Sequence, residues 1–265
     1  MKKLLVLFLL TSSITFAQTN DLQLINQASS LTGEAFGSNY TKQNYYSFLE
    51  YGISKKTSVG GSLNSARVDS TYNDRTTQYA LFGPEVFHRY KFFAHNKHGA
   101  IIQNTIKIPN TYSVNKHLGL IPKQWDYEIR ILGLYNFKER LVSSVVHDST
   151  PHFARYELAY RKRFNTPFDE IRFAFWGGID IGHNFEILVQ DNITWNINSQ
   201  TTNPLNNTYS NFDTTKDANN IATFSLLYHV SHKTTLQAGY VQRLHGNNPF
   251  YDYRGIVIGL WNVLH

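Results

Sequence analysis

Hydrophobic and polar residues alternate along almost the whole chain, most clearly in the stretch NFEILVQDNITWNI from Asn184 to Ile197. Its apolar residues fall on one parity and its polar residues on the other, which is the period of a β-strand with one oily face. Leu188 on the polar row and Asp191 on the oily row break the rule. A helix would scatter these apolar positions around its whole circumference, so the pattern predicts a strand.

Similar stretches recur, and most are as long as the roughly 9 to 11 residues that a tilted strand needs to cross a bilayer. Short connections, such as Gly182-His183, alternate with longer ones, such as Ser199 to Ala218 and Gly33 to Gln43. We therefore predict an all-β fold, a transmembrane up-and-down antiparallel β-barrel of about 12 strands with short periplasmic turns and longer external loops. The predicted strands are 22–32, 43–53, 57–68, 76–92, 98–108, 124–136, 152–163, 169–181, 184–197, 218–230, 234–244 and 252–263.

The segment Phe137 to Pro151 strains this alternation, because parity assigns it to the periplasmic end although it is long. We interpret it as an extended turn or a short hairpin. Counting Leu141 to Val146 as a strand would give an odd number of strands and break the alternation downstream.

Parity also predicts which side chains face lipid and which line the lumen. The oilier rows, for example Ile129 and Leu158, are predicted to face outward, and the opposite rows carry acids and bases in equal number. Opposed residues on neighbouring strands approach within about 5 Å, so these charges should pair, giving weak ion selectivity or a partly closed pore. The alternative, that they only solvate the inner wall, stays open. The predicted lumen-lining residues are Glu50, Glu85, Arg89, Lys91, Lys107, Asp126, Glu128, Arg130, Arg155, Glu157, Arg161, Arg172, Asp180 and Glu186.

Asp191 falls on the lipid-facing row near the middle of its strand. A carboxylate there would cost on the order of a few kcal/mol, less than Arg or Lys would. We predict a bulge around Gln190 to Asn192 that turns Asp191 inward. A regular strand with Asp191 facing out would weigh against the membrane assignment.

The N-terminus and the composition agree with export to a membrane. Lys2 and Lys3 precede an apolar run that ends at Leu10, and small or polar residues lead to Ala17, which predicts a signal peptide at 1–17 and a barrel domain at 18–265. Removing the signal lowers the net charge from +6 to +4, dispersed without the basic stripe that nucleic acid requires. Aromatic residues make up 15% of the chain, as expected for barrels with aromatic girdles. A soluble barrel or sandwich with its charges outside is the alternative.

Several segments also carry a family resemblance. In order and spacing, EYGISKKTSVG at 50–60, GPEVFHRYKFF at 83–93, WDYEIRILGLY at 125–135 and GIVIGLW at 255–261 resemble uncharacterised Gram-negative outer-membrane barrels. They are close in style to the MetA-pathway phenol-degradation or transporter-like outer-membrane proteins. The resemblance implies an outer-membrane location and a small apolar or aromatic solute, but no mechanism. The chain ends on His265 where such barrels usually end on an aromatic residue, which leaves the register of the last strand open.

Three functions are compatible with such a barrel. The first is a passive, porin-like channel for a small solute, and the second is a closed barrel whose surface loops bind something. The third is an outer-membrane hydrolase, for which His147 with Ser149 and His229 with Ser231 are candidates. The predicted topology puts both pairs at the periplasmic end, away from the outer leaflet, so we expect no enzyme.

The expected partners are outer-membrane lipid and an unidentified small solute, with no nucleic acid. The chain has no cysteine and no HExxH motif, so we expect no metal and no cofactor. The oligomeric state stays open.

Overall fold

The protein forms a single closed barrel of twelve antiparallel strands. A computed structural model describes residues 20–35, 38–70, 76–95, 98–109, 125–137, 152–164, 169–182, 184–197, 218–231, 233–245 and 253–264. The strands are β1 (Leu22–Ala35), β2 (Ser38–Gly52), β3 (Thr57–Ser70), β4 (Thr76–His95), β5 (His98–Lys107), β6 (Asp126–Phe137), β7 (His152–Arg163), β8 (Asp169–Gly182), β9 (Phe185–Ile197), β10 (Ala218–His229), β11 (Thr234–His245) and β12 (Tyr253–Leu264).

Each strand pairs with its neighbours in sequence, and β1 pairs with β12 to close the barrel. The closing register runs from Leu22 opposite Leu264 to Gly33 opposite Tyr253, which defines the last strand without a terminal aromatic residue. The predicted fold class and strand number are confirmed. Among the described residues, no helix is long and apolar enough to cross a membrane.

One predicted loop is wrong. The first hairpin was expected to open at Gly33, but β1 and β2 stay paired up to Ala35 opposite Ser38. This stretch is polar on both faces, so it lacks the hydrophobic alternation by which the other strands are recognised in the sequence. The predicted signal peptide and the segment 138–151 lie outside the described residues.

The turn between β8 and β9 is tight, as predicted. Gly182 and Asn184 both adopt positive φ, of 90° and 71°. Glycine takes such angles without steric cost and asparagine tolerates them better than most residues, so the chain reverses within a short connection.

The outer surface is apolar and the charges lie inside. Tyr156, Leu158 and Ile256 are exposed on the outer face, whereas Glu50 and Glu128 are buried on the inner face. A soluble barrel would have the opposite arrangement, because water-facing surfaces do not carry apolar patches of this extent. The soluble alternative is therefore wrong, and the outer surface is suited to lipid.

The bulge predicted for Asp191 is wrong. Throughout Glu186 to Ile197 the pairing of β9 is regular, and Asp191 lies opposite Phe175 on one side and Ala222 on the other, on the outward row. A regular ladder keeps every backbone hydrogen bond, which a bulge would disturb. The outward carboxylate does weigh against a membrane location, but by a few kcal/mol at most, and the apolar rest of the outer face outweighs it.

Candidate functional site in the barrel lumen

The lumen holds an ion-pair network built on Glu128. One oxygen of this carboxylate, Oε1, accepts from Nη2 of Arg130 at 2.6 Å. The other, Oε2, accepts from Nε of Arg161 at 2.8 Å and from Nη1 of Arg172 at 3.4 Å. Three adjacent strands, β6, β7 and β8, supply these groups because each places its charged row inward.

The network continues to both sides of Glu128. Arg130 Nη1 lies 2.5 Å from Glu157 Oε2, and Glu157 also pairs with Arg155. Towards β4, Arg161 Nη2 lies 2.9 Å from Glu85 Oε1. The ion pairs thus link charges of β4, β6, β7 and β8, and those of Arg161 with Glu85 and of Arg172 with Glu128 join strands that are not adjacent.

Two members of the network were missed from the sequence. Glu170 Oε2 lies 2.8 Å from Arg172 Nη2, and Glu170 also pairs with Arg163. Both residues lie at strand ends, next to the connection between β7 and β8. Their parity matches that of Arg161 and Arg172, so the alternation, if carried to the strand ends, would have found them.

A second set of polar contacts, on β2 to β5, continues from this network, because Gln103 lies opposite Arg130. Arg89 Nη1 is 2.5 Å from Glu50 Oε2, and Arg89 Nε donates to Gln103 Oε1 at 2.7 Å. Ser58 Oγ donates to Glu50. The guanidinium also lies 4.7 Å from the ring centroid of Phe87, a cation–π distance.

The other predicted residues take separate positions on the inner face. Lys107 is opposite Asp126 and Glu85 on the neighbouring strands, near the external end. Lys91 is opposite Ile101. Asp180 Oδ1 accepts from the backbone N–H of Gly182 at 2.7 Å, so this carboxylate supports the β8–β9 turn.

The accessible charge of the network is mostly cationic, although acids and bases are similar in number. The side chain of Glu128 is 1% exposed, whereas those of Arg130 and Arg172 are 22% and 30% exposed. Glu85, at 29%, is an exposed acid at the side of the network. Water beside the network therefore meets guanidinium groups in front of buried carboxylates.

These exposed guanidiniums border a cavity of about 230 Å³. Its wall is formed by β6 to β9, and the small side chains of Ala159 and Ala174 leave the space open. The lining residues are Arg130, Glu157, Ala159, Arg172, Phe173, Ala174, Asn192, Ile193 and Thr194.

An apolar layer lies on the inner face of β6 to β10, β12 and β1, near the periplasmic strand ends. Leu188 and Leu227 are fully buried there, and Phe153 and Trp261 are 5% and 4% exposed. Their side chains form one packed cluster on the inner face. Partly buried apolar residues complete the layer: Ile25, Leu134 and Trp176.

Sequence analysis missed this layer, although its signal was present. Leu188 breaks the alternation of β9 by placing an apolar residue on the polar row, and it is a fully buried member of the layer. Apolar residues on the inward row of several strands, at similar distances from the periplasmic turns, would have predicted an apolar constriction.

Amide groups hold the layer on the side of β1, β10, β11 and β12. Gln237 Oε1 accepts from Trp261 Nε1 at 3.1 Å and from Gln27 Nε2 at 2.7 Å. Gln237 Nε2 in turn donates to Ser225 Oγ at 2.9 Å. Because the indole N–H is satisfied, Trp261 can be buried without an unpaired donor.

Comparison with known proteins rests on structure, since no family model and no curated protein matches the sequence. The COG4313 outer membrane channel from Pseudomonas putida F1 is similar with a TM-score of 0.67 and 11% identity, over 94% of this chain and 97% of that one. The NanC porin is similar with a TM-score of 0.52 and 12% identity, over 90% of this chain and 98% of that one.

The fold is that of Gram-negative outer-membrane barrels. Together with the apolar outer face, it places the chain in the outer membrane, as predicted. The predicted resemblance to transporter-like outer-membrane barrels is confirmed at the level of the fold.

His229 and Ser231, one of the two pairs proposed for hydrolysis, are not brought together in the outer-membrane barrel. His229 Nδ1 lies 2.9 Å from Thr235 Oγ1 and its Nε2 lies 3.3 Å from Glu186 Oε2, on the inner face. Ser231 Oγ instead accepts from the backbone N–H of Lys233 at 3.2 Å, in the β10–β11 turn. The other candidate pair, His147 and Ser149, lies outside the described residues.

Glu186, His229 and Thr235 contact each other in the order carboxylate, imidazole and hydroxyl, as in a nucleophilic catalytic set. Thr235 is 8% exposed, however, and the group lies near the periplasmic end, so a lipid ester of the outer leaflet does not reach it. Within the described ranges, no cluster of three or more histidine or acidic residues is arranged to hold a metal.

Proposed function

We propose that the outer-membrane barrel is a passive channel for a small solute with an apolar or aromatic part. The observation that carries this proposal is the apolar layer, which lies on an otherwise polar inner face. The water-accessible cavity bordered by Arg130 and Arg172 lies above the layer. Leu188 and Leu227 lie in the layer itself.

The layer discriminates between solutes by their hydration. A hydrated inorganic ion has no apolar part, so it loses hydrating water in an apolar constriction without gaining contacts there, and its passage is slowed by dewetting. An apolar ring loses little by the same step. Rotation of Phe153 and Trp261 would open the path, since they have the largest side chains of the cluster's buried members.

The structural neighbours support the general class of function. The similar protein from Pseudomonas putida F1 is described as an outer membrane channel, and NanC as a porin. Neither description names an apolar solute, so the solute class rests on the layer.

Two measurements test the proposal together. In planar bilayers the purified barrel should show ionic conductance steps far smaller than those of an open porin, because the layer excludes hydrated ions. Intact Gram-negative cells that express the barrel should take up N-phenyl-1-naphthylamine, an apolar aromatic dye, faster than cells with an empty vector.

The alternative is a closed barrel that presents external loops. A closed barrel predicts neither conductance nor dye uptake. The absence of both would therefore reject the channel and support the closed barrel. Large steady conductance without dye uptake would instead indicate a channel for hydrophilic solutes and would reject the apolar class.

A further inference from the structure

We propose that the lumen cavity binds a small organic carboxylate through the guanidinium groups of Arg130 and Arg172. The inference rests on the proposed function, because it names the chemical class of solute that the channel takes up. The solute would carry its carboxylate above the apolar layer and its apolar part towards that layer.

Both arginines keep hydrogen-bond donors for a ligand. A guanidinium has five N–H groups. Arg130 donates to Glu128 through Nε and Nη2 and to Glu157 through Nη1. Arg172 uses Nε and Nη2 on Glu170 and Nη1 on Glu128. Each group therefore retains two N–H donors beyond these contacts.

The carboxylates of the wall do not repel an anion strongly, because their charges are already paired. Glu157 is the acid that lines the cavity, and its two oxygens are paired with Arg130 and Arg155. Its side chain is 4% exposed, whereas Arg172 is the most exposed member of the wall network at 30%. An anion in the cavity thus meets the cationic side of each pair.

The remaining lining suits a small molecule with one polar end. Asn192 and Thr194 add neutral donors on the β9 side, while Ala159 and Ala174 present only methyl groups. A volume of about 230 Å³ lies below the roughly 300 to 1,000 Å³ of pockets for drug-sized ligands. A single ring or a short chain fits this size.

The geometry of the donors favours a carboxylate over a spherical anion. A guanidinium is a planar fork that binds a planar carboxylate through two parallel hydrogen bonds. Chloride cannot use both arms in this way. A neutral amide of the same shape as the carboxylate lacks the charge that strengthens these bonds.

Isothermal titration of the purified full chain in detergent, with benzoate as the probe, tests the site. Benzamide is the neutral probe of the same shape, and sodium chloride at equal concentration is the competitor. We expect benzoate to bind at least tenfold more tightly than benzamide and chloride not to displace it. Equal binding of benzoate and benzamide, or displacement by chloride, would overturn the carboxylate assignment.

Two variants locate the binding. Arg172→Gln removes one guanidinium and should weaken benzoate binding about tenfold or more, the factor expected for losing a charge-assisted pair. Ala174→Leu fills the cavity without changing any charge and should abolish binding. Arg254→Gln makes the same chemical change on the outer face and should leave the affinity within twofold. Unchanged binding in Ala174→Leu would overturn the location.

Failure of this inference can be told from failure of the channel function. Binding in detergent needs no transport, so absent benzoate binding in a barrel that passes the dye would reject only the carboxylate. Each variant is first checked for the heat-dependent gel shift of a folded barrel. If Arg172→Gln does not fold, Ala174→Leu still decides, because it leaves the ion pairs intact.

Discussion

Glu50 and Arg89 form an ion pair sealed within the barrel, with side chains that are 0% and 7% exposed and a distance of 2.5 Å between Oε2 and Nη1. Removing one partner would leave the other charge buried and unpaired. We expect Glu50→Ala to lower the free energy of unfolding by about 3 to 5 kcal/mol. Urea unfolding of the barrel in lipid vesicles measures this change.

The matched control is the pair Arg67 and Asp69 on β3, whose side chains are 42% and 36% exposed. Water and lipid headgroups can solvate either charge there, so Asp69→Ala should cost about 1 kcal/mol or less. Equal losses in the two variants would show that burial does not control the strength of these pairs.

The apolar layer offers a second test, because Leu226 and Leu227 are neighbours with opposite orientations. Leu227 is fully buried in the layer, and Leu226 is 43% exposed on the outer face. Leu227→Ala opens space in the constriction and should raise ionic conductance in planar bilayers at least twofold. Leu226→Ala removes the same atoms towards lipid and should leave the conductance unchanged. If both behave alike, the layer is not the constriction.

The outward carboxylates of Asp191 and Asp169 should respond to replacement in opposite directions. Oδ1 of Asp191 is buried and has no hydrogen-bond partner in the part of the chain that the structure describes. Asp191→Leu should therefore stabilise the barrel, by about 1 to 2 kcal/mol.

Asp169 instead accepts from Tyr160 Oη at 2.8 Å, Lys162 Nζ at 2.9 Å and the backbone N–H of Arg163 at 3.0 Å. Asp169→Leu should destabilise by about 1 to 3 kcal/mol, because it leaves the backbone donor unpaired. Unfolding in vesicles gives both values, and a loss of stability in Asp191→Leu would contradict the prediction.

The seam between the first and last strands depends on Gly255. A Cβ there would collide with the carbonyl oxygen of Ser30 and approach Cα of Leu31 to 2.7 Å, and these backbone atoms cannot rotate away. Gly255→Ala should cost about 1 to 3 kcal/mol. In contrast, the nearest atom to a Cβ on Gly99 is Leu134 Cβ at 3.8 Å, so Gly99→Ala should fold like the parent chain. The folded fraction follows from the gel shift after refolding.

The strands and their facing could be predicted because a membrane barrel separates two environments at each step along the strand. Ile129 and Arg130 are adjacent and lie on the lipid and lumen sides respectively, which gives the period of two that the sequence shows. The β1–β2 hairpin was mispredicted because both of its faces are polar, so the two environments leave no contrast there.

The sequence predicts which charged residues line the lumen, but not which of them contact each other. Parity cannot tell that Glu128 pairs with three arginines while Glu50 pairs with one, Arg89, because these choices depend on the tilt of the strands and on side-chain length. The two residues that break the alternation of β9 also differ in how far the structure accounts for them. Leu188 belongs to the apolar layer, and nothing in the structure explains Asp191 on the lipid side.

The network around Glu128 joins β4 to β8, which are consecutive in sequence, and needs no contact across the seam between β1 and β12. Most of its pairs lie within one strand or join strands at most two apart, so they can form before the ends of the chain meet. Local pairing of this kind has a low cost in loop entropy, whereas closure joins strands separated by almost the whole chain. During refolding in vesicles, amide hydrogens of β6 should become protected before those of β12.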